Sequence, residues 1–159
     1  MMRNSAESRT PIVGTALDFG RGFWRECRRL SGKRIDGLRG QNIPHNSRCI
    51  DRTLVPNGIV SHKSTDLRLK SYRSATAVYR RGMNFVNQLV AYKGEIRCDH
   101  KKKATYHLYW ALEGAQASRV LEWFVPAAGV SDEQLAALKR VTRDAIVRGV
   151  RVDIYRVAE

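Results

Sequence analysis

Apolar side chains recur along this sequence with two periods, and the switches between them mark the expected elements. From Ser64 to Gly94 the spacing is helical. Wound at about 100° per residue, Leu67, Ala75, Val78, Tyr79, Phe85, Val86, Leu89 and Val90 share one side, and Lys70, Arg73, Arg80, Arg81, Asn84, Asn87 and Gln88 the other. Ser64, Thr65 and Asp66 offer N-cap oxygens, and Gly94 suits the positive φ at which helices often end. Gly82 falls on the apolar side, where a glycine costs about 1 kcal/mol relative to alanine and marks close packing or a break.

The same reasoning extends in both directions. A first helix is expected over residues 15–31, with Ala16, Phe19, Phe23, Cys27 and Leu30 on one side, Arg21, Arg25, Arg28 and Arg29 on the other, and Trp24 at the boundary. Residues 32–47 carry three glycines and Pro44 and read as a basic loop holding Lys33, Arg34 and Arg39. Two strands, 48–55 and 59–63, are joined by the turn sequence Pro56-Asn57-Gly58. Strict alternation predicts strands at 95–100 and 105–112, with Lys101, Lys102 and Lys103 at the hairpin tip. A short helix is expected over 115–125, stopped by Pro126. Another begins at Ser131 with Gln134 completing a capping box, and a last strand covers 150–157. The order α-β-β-α-β-β-α-α-β predicts a two-layer α+β domain over residues 13–159, with a mostly antiparallel sheet and helices packed on one face, behind a flexible polar tail at 1–12.

Charge sharpens this picture. The formal net charge is +14, and residues 1–103 hold 22 Lys and Arg against 8 Asp and Glu, whereas residues 104–159 hold 7 of each. No acid stands between Asp66 and Glu95. An ordinary solvated helix face mixes signs, so this asymmetry points to a polyanionic partner, with nucleic acid first. The neutral remainder, with Trp110, Trp123 and Phe124, is a candidate homodimer surface. Three cysteines, Cys27, Cys49 and Cys98, with no CxxC, argue against a disulfide framework and for a reducing, cytoplasmic setting; the opening MMRNSAESRT lacks the apolar core of a secretory signal.

Candidate chemistry is sparse. Ile35-Asp36-Gly37-Leu38-Arg39-Gly40-Gln41-Asn42-Ile43 resembles the phosphate-gripping GxxG loop of KH domains, but Pro44 stops the helix such a fold would continue, which favours a flexible basic loop. His45 and Cys49 with Cys98 and His100 match no common zinc spacing, and no metal or cofactor is expected. Asp99-His100-Lys101 has the D-x-K form of some nuclease strands, with Asp51, Asp66 and Glu95 as further carboxylates. The β-β-α-β-β core behind an N-terminal helix is similar to LAGLIDADG homing endonucleases, a resemblance that implies nuclease activity, although TALDFGRGFW lacks the acid that closes their motif.

The favoured reading is a non-enzymatic nucleic-acid-binding protein, ribosome-associated or viral in setting, with RNA slightly preferred. It grips phosphate through Arg21, Arg25, Arg28, Arg29, Lys33, Arg34, Arg39, Lys70, Arg73, Arg80, Arg81 and the lysine hairpin, and Trp24 stacks on a base. The alternatives are a metal-dependent nuclease and a binder of an acidic protein.

Overall fold

The computed structural model describes residues 17–18, 22–25, 28–41, 49–54, 57–97, 105–107 and 117–158. Among the described residues seven strands and three α-helices run in the order β1 (Leu17–Asp18), α1 (Arg28–Arg39), β2 (Arg52–Thr53), β3 (Gly58–Ser64), α2 (Ala75–Ala91), β4 (Glu95–Arg97), β5 (Thr105–His107), β6 (Ser118–Pro126), α3 (Asp132–Val147) and β7 (Val150–Ala158). Five strands form one sheet in the order β1-β7-β6-β3-β2, and β4 and β5 form a separate antiparallel pair.

The sheet is mixed, which corrects the expectation of a mostly antiparallel one: β3, β6, β7 and β1 are parallel and only β2 runs against β3. The misreading turns on β6. Its residues Val120 to Pro126 are all buried, on both faces, as the central strand of a parallel sheet must be. Such a run has no period of two and resembles a short buried helix, which is how residues 115–125 read in the sequence.

Helices cover both faces of the sheet rather than one. Leu121, Trp123 and Val125 of β6 join Val152 and Ile154 of β7 in a core with Val78, Phe85 and Leu89 of α2 and Leu138 and Val141 of α3. On the opposite face Phe124 and Val157 pack with Ile35 of α1 and with Phe23. Gly82 marks close packing and not a break, because a Cβ there would lie 2.6 Å from Trp123 Cζ3 and 2.8 Å from Val141.

The long helix starts at Ser74, whose hydroxyl accepts from the Ala77 amide, and not at the Ser64-Thr65-Asp66 cap. Tertiary bonds hold residues 65–72 out of the helix. The Thr65 amide donates to Phe124 O, Thr65 Oγ1 accepts from the Trp123 indole at 3.0 Å, and Gln134 Nε2 donates to the carbonyls of Leu67 and Tyr72. Downstream, Gly94 takes the expected positive φ of 93°, and the Ser131–Gln134 capping box forms as the sequence indicates. The expected loop at 32–47 is helix through Arg39, so Asp36 and Gly37 ride on α1; residues 42–48 lie outside the described part. Among the described residues no helix is long and apolar enough to cross a membrane.

Candidate active site

The short β2 pairs only with Val60 and Ile59 of β3, and this leaves the second half of β3 at the edge of the sheet. There α1 approaches from one face and α2 from the other. Between them lies a pocket of about 380 Å³, lined by Ile35 and Asp36 of α1, Asp51, His62 and Lys63 near the strand edge, and Arg81, Phe85 and Gln88 of α2.

One wall is acidic. The chain enters it through Cys49, at φ 76°, a left-handed conformation uncommon outside glycine. Asp51 then donates its amide to Val60 O, and its Oδ2 accepts the His62 amide at 2.6 Å. His62 Nδ1 lies 2.8 Å from Asp36 Oδ1. Ligand atoms of Asp36, Asp51 and His62 all fall within 4.8 Å of one another, close enough to share one cation. Burial pushes the Asp51 carboxyl above its ordinary range, assisted by the Asp36 charge and opposed by the His62 amide.

Behind His62 stands a charged support inside the fold. His62 and Glu122 are register partners on β3 and β6, with His62 Nε2 3.3 Å from Glu122 Oε2, a contact of charge more than of aimed hydrogen bonding. Glu122 Oε2 accepts from Arg39 Nε at 3.0 Å, and its Oε1 from Arg39 Nη2 at 2.8 Å and Arg52 Nη2 at 2.6 Å. Arg39 also donates to the Tyr155 hydroxyl and lies 4.7 Å over its ring. Burial alone would raise the Glu122 carboxyl, yet the His62 contact, the Arg39 bonds and the charges of Arg39 and Arg52 hold it far below the usual range. Burial likewise works against the His62 imidazolium, and the carboxylates of Asp36 and Glu122 overcome it, raising His62 to about 8.

The other wall is basic. Phe85 presents its ring to two cations: Arg81, with its guanidinium carbon 4.5 Å from the ring centroid, and Lys63, with Nζ at 5.9 Å. A carboxylate–imidazole cluster thus faces a pair of cations across one pocket, an arrangement that suits a metal ion and an oxyanion together.

A model of the CDI toxin restriction endonuclease-like domain matches residues 31–155. The chain belongs to that family. A CdiA-CT/CdiI toxin and immunity complex from Yersinia pseudotuberculosis contains a chain of similar fold, with a TM-score of 0.59, 18% identity, and coverage of 74% of this chain and 89% of that one. No curated protein matches the sequence. Membership overturns the reading of a dedicated, non-enzymatic nucleic-acid-binding protein of viral or ribosomal type and moves the weight to its nuclease alternative.

Of the carboxylates singled out in the sequence, Asp51 reaches the site. Asp66 instead binds Arg68 at the surface, Asp99 lies outside the described residues, and so does its D-x-K neighbour Lys101. Asp36, His62, Lys63 and Glu122 carried no signal in sequence, because Asp36 meets His62 across 26 residues and Glu122 reaches His62 from a different strand. Of the basic candidates whose side chains are described, Arg81 alone lines the pocket. Lys70, Arg73 and Arg80 are exposed on the α2 side, Arg25 and Lys33 are exposed near α1, and Arg34 lies 5.8 Å over the Phe23 ring. Arg39 is consumed by Glu122, and Trp24 packs edge-on against Phe23. Arg28 and Arg29 fall in the first turn of α1, while Arg21, Lys101, Lys102 and Lys103 lie outside the described residues, as do His45, Cys98 and His100.

Proposed function

We propose that this chain is a metal-dependent nuclease domain of a toxin, hydrolysing phosphodiester bonds in DNA. The observation that carries the reading is the pocket itself: two carboxylates and an imidazole within 4.8 Å on one wall, Lys63 and Arg81 on the other. Two oxygens and one nitrogen fit a divalent cation of the magnesium, manganese or zinc type, and the pocket leaves room for water and substrate as further ligands. Asp36, Asp51 and His62 would hold it; once bound, it supplies Lewis-acid polarisation of the phosphoryl group.

The remaining work belongs to the chain's own residues. Asp51 is fixed by the His62 amide, and His62 is fixed between Asp36 and Glu122, so the side chains are ordered before any ligand arrives; His62 sheds its imidazolium proton to serve as a metal ligand. Lys63 places an ammonium where the phosphate gains negative charge as the water oxygen bonds to phosphorus and the leaving ester oxygen departs. The matched structure is a toxin with its immunity protein; a protein that neutralises this chain is part of the same proposal.

The test is cleavage of plasmid DNA and of a structured RNA by the purified chain, with magnesium, manganese or zinc and with EDTA. Cleavage of DNA that needs a divalent cation and stops with EDTA is expected. Cleavage that EDTA leaves unchanged, or none with any of the three metals, overturns the reading.

A further inference from the structure

Arg81 and Lys63 are the cations in the pocket that no carboxylate answers among the described residues, and Arg81 is the more enclosed of the two at its Nε. It projects from α2 one turn before Phe85, and its guanidinium stacks on that ring at 4.5 Å. Its Nε is enclosed by protein and has no hydrogen-bond partner, and no carboxylate pairs with the side chain among the described residues. Arg52 Nε is likewise enclosed and unpartnered, but the charges of the other enclosed guanidiniums are answered: Arg39 and Arg52 are neutralised by Glu122, and Arg119 donates to the carbonyls of Leu89 and Tyr92. An enclosed donor without a partner is costly and rare in a folded protein, and a ligand is one of the few ways to satisfy it. Stacking also fixes the guanidinium plane, so its donors are aimed before substrate binds.

We propose that Arg81 is a catalytic residue that binds a non-bridging oxygen of the scissile phosphate, with Phe85 as the platform that sets its orientation. The position follows from the two walls. A phosphate held beside Asp36, Asp51 and His62 has its free oxygens turned toward the opposite wall, where Arg81 and Lys63 share the Phe85 ring. A planar two-donor fork matches two phosphate oxygens, which an ammonium cannot do. This inference rests on the nuclease reading.

Arg81→Ala and Arg81→Lys, made in the full chain, test it, with exposed Arg143→Ala on α3 as the control for loss of one charge. With a short DNA duplex and the activating metal, Arg81→Ala should lower kcat by about 10²-fold, with KM changed far less, and Arg81→Lys should recover little of the loss. In EDTA, where nothing is cleaved, the dependence of log affinity on log salt should flatten by about 0.9 for Arg81→Ala, the loss of one phosphate contact. Both variants should keep the wild-type circular dichroism. Wild-type kcat in Arg81→Ala, full rescue by lysine, or a loss confined to KM overturns the proposal. Should the wild type cleave nothing, the nuclease reading fails by itself, and the salt slope still decides whether Arg81 meets phosphate.

Discussion

Glu122 is the group on which the site's rigidity most depends, and replacing it by glutamine measures how much. The amide keeps the shape and removes the charge, so Arg39, Arg52 and His62 lose their common counter-ion. Removing one partner from a buried charge cluster costs about 3–5 kcal/mol. Arg39 and Arg52 keep 31% and 22% of their side-chain surface, so each can turn partly to water, which places the cost at the lower end, about 3 kcal/mol. A pH arm isolates the histidine. Folding raises His62 from an ordinary 6.5 to about 8, so between those values the folded state binds more protons than the unfolded one. That stabilisation is fully present below pH 6.5 and is lost as pH rises through about 8, a change of about 2 kcal/mol. Urea denaturation with EDTA at pH 6, 7, 8 and 9 reads both quantities. The wild type should weaken across this window, and Glu122→Gln should be less stable throughout with a smaller decline. An unchanged midpoint in the variant, or wild-type stability that rises between pH 6 and 8.5, refutes the reasoning.

Two further predictions concern the scaffold. Gly82→Ala should destabilise by about 1–3 kcal/mol in urea, because its Cβ meets Trp123 and Val141, both packed in the core; a neutral or stabilising effect would show that α2 and α3 can part freely. Gln134→Ala removes two bonds to the carbonyls of Leu67 and Tyr72 together with half of the capping box, and should lower stability by about 2–3 kcal/mol in the same assay while making the 65–74 segment more accessible to protease.

The sequence was most legible where local chemistry decides the structure. The antiparallel pairing of β2 with β3, the Ser131–Gln134 box, the positive φ at Gly94 and the alternating β7 all follow from short-range rules. It was least legible where tertiary contacts win. Four bonds made by Thr65, Trp123 and Gln134 override the Ser64 cap, and β6 gives no period because both its faces are buried. The glycines at 32 and 37 argued for a loop, yet Ile35, packed under Phe23 and Phe124, holds that stretch as α1 and carries Asp36 to the site. The basic excess pointed to an anionic partner, yet Arg39 and Arg52 serve an internal carboxylate. Asp51 was legible as a candidate carboxylate, whereas Asp36 and His62 were hidden because a metal-type cluster is built from side chains on α1, β3 and the turn before β2, none adjacent in the chain.

The most direct test of the central claim is Asp51→Ala. Its carboxylate joins the cluster and accepts the His62 amide, so the cleavage rate of a labelled DNA duplex should fall to background at every metal concentration, while circular dichroism stays that of the wild type. A folded Asp51→Ala chain that cleaves at the wild-type rate would contradict the assignment of this pocket as the nuclease centre.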